Sequence, residues 1–264
     1  MTGKAVFAIL CLLATLTYSK AQLVKENFTE PAYSDSFLTD NGNWKTVSSG
    51  DNLFIIQNGA YLIQRKNQNS PYSIFPQWKN VLNSYELNCE IKVQQCNLPE
   101  SGAGIIFMAQ EDGSGAFVFE INASKQYRLK QLVGINFKIL SGGLKNNGWV
   151  NSDMLNPAGS GNLITVRTHE RNYDLLINGK YLLSFTELAY KGGNIGFFTG
   201  PSSKFTVEYL NIFSTPQHLR KSRETQTETG EEGKTIEQLI KENALLKDTI
   251  RQLRTELKKQ KVKK

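Results

Sequence analysis

The chain has 264 residues, 39% of them hydrophobic and 21% charged, with three cysteines and two histidines; that is ample apolar content for a core and too few thiols or imidazoles for a disulfide framework or a histidine-rich metal centre. The formal net charge of +7 sits at the ends: residues 1–21 carry +2, residues 214–233 sum to −1 and residues 234–264 to +6, which leaves residues 22–213 neutral. A neutral body argues against a nucleic-acid surface there, while the basic run Lys258 to Lys264 reads as a solvated helix end.

Residues 1–21 have the order of a secretory signal: Lys4, an apolar run from Val6 to Leu16, then Ser19-Lys20-Ala21 with small residues flanking a cut before Gln22. The expected destination is secreted or periplasmic, and the apolar run is too short to serve as a transmembrane segment. Leu10 stands before Cys11 where a lipoprotein needs a small residue. Cleavage leaves Cys89 and Cys96. On one extended strand their Cα atoms would lie roughly 23 Å apart at about 3.3 Å per residue, beyond the reach of about 7 Å that a disulfide tolerates, so both are expected as free thiols.

From Asn52 to Phe213 short apolar runs alternate with turn residues. Leu53–Gln57 and Ala60–Arg65 flank Asn58-Gly59; Tyr173–Ile177 and Lys180–Phe185 flank Asn178-Gly179. Asn-Gly supplies the two positive-φ residues of a type I′ turn, so both pairs are expected hairpins. Further strands are expected at 72–76, 85–93, 103–109, 116–121, 126–132, 137–140, 162–168, 194–199 and 204–213. Alternation over Tyr85–Val93 places Cys89 toward the core and Glu86, Asn88 and Glu90 on the opposite face. No helical periodicity lasts three turns, so residues 22–213 predict an all-β, two-sheet antiparallel sandwich of one domain.

Residues 214–233 are polar and charge-mixed and read as a flexible linker. Over 234–264 the apolar spacing becomes three, four, three, four: Ile236, Asn243, Ile250 and Leu257 at a, and Leu239, Leu246 and Leu253 at d. β-Branched a positions with leucine at d favour a parallel two-stranded coil, and one asparagine at a fixes its register. Thr235 and Gln238 form a capping box, while Glu242 faces Lys247 and Glu256 faces Lys261 across the seam. A homodimer through residues 235–260 is the expected assembly.

The ordering of Ser34-Asp-Ser-Phe37, Trp44, Tyr85-Glu-Leu-Asn-Cys-Glu-Ile91, Gly102-Ala-Gly-Ile-Ile-Phe107, the second Asn-Gly hairpin, Gly193-Asn-Ile-Gly-Phe197 and Phe205-Thr-Val-Glu-Tyr-Leu-Asn-Ile-Phe213 resembles concanavalin A-like jelly rolls, in particular laminin-G-like and 3-keto-disaccharide hydrolase-like domains of secreted bacterial proteins. The resemblance covers most of residues 33–213. It implies a jelly roll whose concave sheet meets carbohydrate, without by itself implying catalysis. Leu210 precedes Asn211 where such families commonly carry an aspartate, a departure that weakens the case for an inherited metal role at that position.

Related β-glucanases carry Glu-x-Asp-x-Glu on one strand face, since retaining hydrolysis needs two carboxyl groups about 5 to 5.5 Å apart. Here Glu86, Asn88 and Glu90 take that alternation, with the amide of Asn88 replacing the aspartate and the outer pair roughly 13 Å apart along the backbone. Aromatic rings offer the stacking faces that sugars use: Trp44, Trp78, Trp149 and Tyr72 lie in polar, turn-rich surroundings, and Trp149 adjoins the amide-rich stretch Lys145-Asn-Asn-Gly148 and Asn151. The competing fate of each ring is burial in the sandwich. Asp35 and Asp51 are weak candidates for calcium against ordinary turn capping. No cofactor is expected. The sequence therefore points first to a secreted, non-catalytic module that binds a glycan or surface polymer as a coiled-coil dimer. A carbohydrate hydrolase or lyase using Glu86 and Glu90 is the rival, and an adhesion protein with a protein partner is the third reading.

Overall fold

A computed structural model describes residues 26–216 apart from 79, 80 and 189. The expected signal, almost all of the linker and the whole heptad segment lie outside the described residues.

The strands run in chain order as β1 (Glu30–Asp35), β2 (Val47–Ser48), β3 (Asn52–Gln57), β4 (Ala60–Arg65), β5 (Tyr72–Ile74), β6 (Tyr85–Cys96), β7 (Ala103–Ala109), β8 (Gly115–Ile121), β9 (Gln126–Val133), β10 (Asn136–Ile139), β11 (Val150–Asn151), β12 (Gly161–His169), β13 (Asn172–Ile177), β14 (Lys180–Thr186), β15 (Asn194–Thr199) and β16 (Ser203–Ser214). One 3₁₀ turn, Leu144–Asn146, precedes β11. Two antiparallel sheets result. The first runs β14-β13-β12-β6-β16-β4-β3-β2, with β1 on the far half of β16; the second runs β10-β9-β8-β7-β15-β5, with β11 on the start of β9. This is the expected two-sheet sandwich in the strand order of a jelly roll.

Both Asn-Gly hairpins form as the turn chemistry requires. Asn58 and Gly59 have φ of 53° and 73°, and Asn178 and Gly179 have 51° and 73°. In β6 the side chains of Tyr85, Leu87, Cys89, Ile91 and Val93 are buried while those between them are partly exposed, so one face seals the core and the other is polar. The core between the sheets collects aromatic rings: Phe37, Trp44, Tyr61 and Phe197 pack with centroids 4.7–6.2 Å apart. Cys89 is buried in the same core and Cys96 ends β6, both as free thiols.

The second sheet differs in kind. Every residue of β7 and β8 is buried, as expected of near-continuous apolar runs, which Glu120 alone interrupts in β8. Its outward side holds a second apolar cluster of Ile106, Ala109, Ala116, Val118 and Phe198. Set into that side is a charged group that no solvated sheet face would need.

Candidate functional site

Glu120 of β8 pairs directly with Arg128 of β9, and Val118 with Lys130, so the three charges share one face. Glu120 Oε2 accepts from Arg128 Nε at 3.0 Å and from Lys130 Nζ at 2.7 Å. The three side chains are 0%, 2% and 7% exposed, which makes this a buried ion triad rather than surface decoration. Burial pulls the Lys130 ammonium below the usual lysine range, with Glu120 opposing. The rings of Phe137 and Phe198 lie 4.4 and 4.5 Å from that ammonium. Glu120 Oε1 is buried without a hydrogen-bond partner.

Arg128 connects the triad to two loops. Its guanidinium stacks 4.2 Å from the Trp149 ring, Nη1 donates to the Asn147 carbonyl at 3.1 Å and Nη2 to the Glu100 carbonyl at 3.4 Å. The indole N–H of Trp149 donates to the Pro99 carbonyl at 2.8 Å. The loop reaches this position through left-handed residues at Gly142, Asn147 and Gly148. At Gly148 a Cβ would lie 2.3 Å from Ile139 Cγ2, so glycine is required there. The Ser141 hydroxyl accepts from Leu129 N and donates to the Gly148 carbonyl, tying the loop to β9.

Against the edge of this indole, itself only 7% exposed, opens a cleft of about 320 Å³ lined by Cys96, Leu98, Pro99, Ser101, Asn122, Ser124, Gln126, Lys145, Asn146 and Asn147. An amide chain crosses its wall: Asn122 Nδ2 donates to Gln126 Oε1 at 2.8 Å and Gln126 Nε2 to Asn151 Oδ1 at 2.9 Å. Asn147 donates to the Glu100 carboxylate. The cleft therefore combines one rigid aromatic edge with amides and hydroxyls. Burial pushes the Cys96 thiol up to about 11, so it stays protonated and unreactive at neutral pH.

The remaining residues singled out by sequence are dispersed. Trp44 is 2% exposed in the aromatic knot, with its N–H on Tyr33 Oη at 3.1 Å; it presents no face to a ligand. Tyr72 lies against Phe54 with the Lys45 ammonium at 5.0 Å and the Arg65 guanidinium at 5.6 Å, a ring already occupied by the protein's own cations. Glu86, Asn88 and Glu90 sit on the polar face of the first sheet. Glu86 Oε2 accepts from Arg167 Nε at 2.6 Å, and Asn88 bridges Glu86 and Thr165. Glu90 lies over Gly161, where a Cβ would meet its Oε1 at 2.0 Å. Asp35 accepts from Phe37 N, Tyr33 Oη and Asn41 Nδ2 and fastens a turn. Asp51 is exposed near Arg65 at 3.9 Å. Among the described residues no three metal-ligating side chains converge. Trp78 lines a different cleft, at the other end of β7.

Sequence reasoning found Trp149 and its amides but missed Glu120, Arg128 and Lys130. A usable signal was present: a glutamate inside the apolar run Ala116–Ile121, followed by two cations at alternate positions of the next strand.

No family model matches the chain, and no curated protein matches it in sequence. Solved structures do match. The carbohydrate-binding module CBM66 from Bacillus subtilis aligns at 8% identity and TM-score 0.52, covering 65% of this chain and 96% of its own. A B. subtilis protein of unknown function with a galectin-like fold aligns at 10% and 0.54, covering 71% and 97%. A non-specific endo-β-1,3(4)-glucanase of family GH16 aligns at 13% and 0.52, covering 72% and 97%. At such identities the likeness concerns the fold, which is that of concanavalin A-like and galectin-like jelly rolls. No helix among the described residues is long and apolar enough to cross a membrane.

Proposed function

We propose that this protein is an exported saccharide-binding module whose ligand enters the Trp149 cleft, and that the heptad segment presents it as a dimer. The observation that carries the reading is the Arg128-clamped indole facing Asn122, Gln126, Asn146 and Asn147. A sugar ring packs its apolar surface against the edge of a held aromatic side chain and places its hydroxyls on amide donors and acceptors, and a preset indole avoids the cost of ordering it on binding. The jelly-roll fold, shared with a carbohydrate-binding module and a glucanase, supports the same ligand class.

Binding is favoured over hydrolysis because Glu86 is committed to Arg167 and neither Glu86 nor Glu90 lines the Trp149 cleft. The test is a panel of immobilised polysaccharides probed with the full chain and with Trp149→Ala, run beside a reducing-sugar release assay. Retention on at least one polysaccharide, weakened about tenfold or more by Trp149→Ala, with no sugar release, is expected. Release abolished by Glu86→Gln or Glu90→Gln would replace this reading with the hydrolase.

A further inference from the structure

We infer a second, separate saccharide-binding cleft at the opposite end of β7, built on Phe75 and Trp78, so that each sandwich carries two sites. The ligand class rests on the preceding functional reading; the site itself rests on its own geometry. The cleft measures about 250 Å³ and is lined by Phe75, Pro76, Trp78, Gln110 and Asn194 among others. Phe75 is 40% exposed, an unusual position for a phenylalanine, and its ring lies over Gly196, where a Cβ would approach Phe75 Cδ1 to 2.9 Å. The glycine makes room for the ring against β15, where it lines the cleft. Trp78 is fixed in place by stacking on Tyr33, with centroids 4.5 Å apart and planes inclined by 30°.

The polar groups are preset as well. Gln110 Nε2 donates to the carbonyls of Met108 at 2.8 Å and Gly192 at 2.9 Å. With its N–H groups consumed, the side-chain carbonyl is the open acceptor. Among the described residues the Asn194 side-chain amide finds no hydrogen-bond partner, so it offers both donors and an acceptor to the cleft. A backbone irregularity is built into this spot: the pairing of β15 with β7 slips between Asn194 and Gly196, and Met108 opposite has φ of 52°. A left-handed methionine is costly, and bulges re-aim the side chains beside them. Gly193 makes the distortion possible, because a Cβ there would lie 2.3 Å from the Met108 carbonyl carbon.

Ala103 and Ala109 bound β7, so the strand ends at which the two clefts open stand roughly 20 Å apart at about 3.3 Å per residue. A trisaccharide is too short to join them. The sequence has three tryptophans, one in each cleft and Trp44 in the core, which makes fluorine NMR of full-length 5-fluorotryptophan protein a direct reporter. Resonances are assigned by single Trp→Phe variants, and laminaritriose, cellotriose and mannotriose are titrated in turn. The expected result is that one of these moves the Trp78 and Trp149 resonances with separate saturation curves and leaves Trp44 in place. Phe75→Ala and Asn194→Ala, each checked by thermal melt, should weaken the Trp78 response about tenfold or more and spare that of Trp149. A response of Trp149 without Trp78, or a Trp78 response that survives both substitutions, overturns the second cleft and leaves the Trp149 reading intact. A response of Trp78 alone supports the second cleft and overturns the Trp149 reading; silence at both overturns both.

Discussion

Glu120→Gln is the perturbation that best tests how the Trp149 cleft is held. The substitution keeps shape and removes charge. It leaves Arg128 and Lys130, 2% and 7% exposed, without the carboxylate that both contact within 3.0 Å. Breaking a buried ion pair by removing one partner costs about 3–5 kcal/mol, because the remaining charge stays desolvated. Arg128 retains Glu100 at 3.5 Å, a 59% exposed carboxylate of small worth, while Lys130 keeps two aromatic rings and the weaker, more distant pull of that same Glu100. The cost should therefore fall inside that range. In urea denaturation with a slope near 2 kcal/mol/M, the midpoint should drop by about 2 M. Added salt should rescue little, since buried pairs are weakly screened. Replacing all three residues together with apolar ones of similar size should recover most of the stability, yet not the ligand affinity, because Trp149 then keeps only its bond to the Pro99 carbonyl and, with the Asn147 carbonyl, loses the guanidinium. A midpoint unchanged within about 0.5 M, or full rescue of Glu120→Gln by salt, would refute the triad as a structural anchor.

The other tryptophan substitutions should separate two roles: Trp44→Ala should cost about 3–5 kcal/mol by cavity formation as read by thermal melting and leave retention by the folded fraction intact, whereas Trp149→Ala, at an indole only 7% exposed, should lower both stability and polysaccharide retention. The hydroxyls of Tyr85 and Tyr173 are buried without partners, so Tyr85→Phe and Tyr173→Phe should be neutral or stabilising by up to about 1 kcal/mol; a loss above that would show the hydroxyls to be satisfied in solution. The folded Cys96 thiol, pushed up to about 11, holds its proton to higher pH than the unfolded thiol. Its contribution is thus complete below about pH 9 and fades toward pH 11, a decline that Cys96→Ala should flatten in paired urea titrations. Removing residues 234–264 should convert a dimer into a folded monomer by light scattering, and a full-length monomer at tens of micromolar would exclude the heptad as the pairing element.

Much of the fold was legible because local chemistry specified it. The Asn-Gly pairs dictated two hairpins, and the two-residue alternation of Tyr85–Val93 placed Cys89 inside and Glu86, Asn88 and Glu90 outside before any partner strand was known. The exceptions have physical causes. β1 contains Pro31, which withholds a donor and normally argues against a strand. It survives as a partial partner to the end of β16, with its register shifted between Pro31 and Tyr33, a pairing across the whole chain that no local pattern encodes.

The same distinction explains the site. Trp149 could be suspected because its amides are neighbours in sequence, and those neighbours do line its cleft. Trp44 and Trp149 are indistinguishable by composition, since both stand among polar turn residues, yet one indole is enclosed by Phe37, Tyr61 and Phe197 and the other is held at a cleft by Arg128. What separates them is a register: Glu120 opposite Arg128, which fixes the arginine in the sheet and leaves its planar guanidinium as the surface on which the indole rests. A lysine at 128 would keep the charge but lose both the stacking plane and the fork that reaches the Asn147 and Glu100 carbonyls. The geometry of the cleft thus depends on one cross-strand pair, eight residues apart in sequence, whose members take no direct part in lining it.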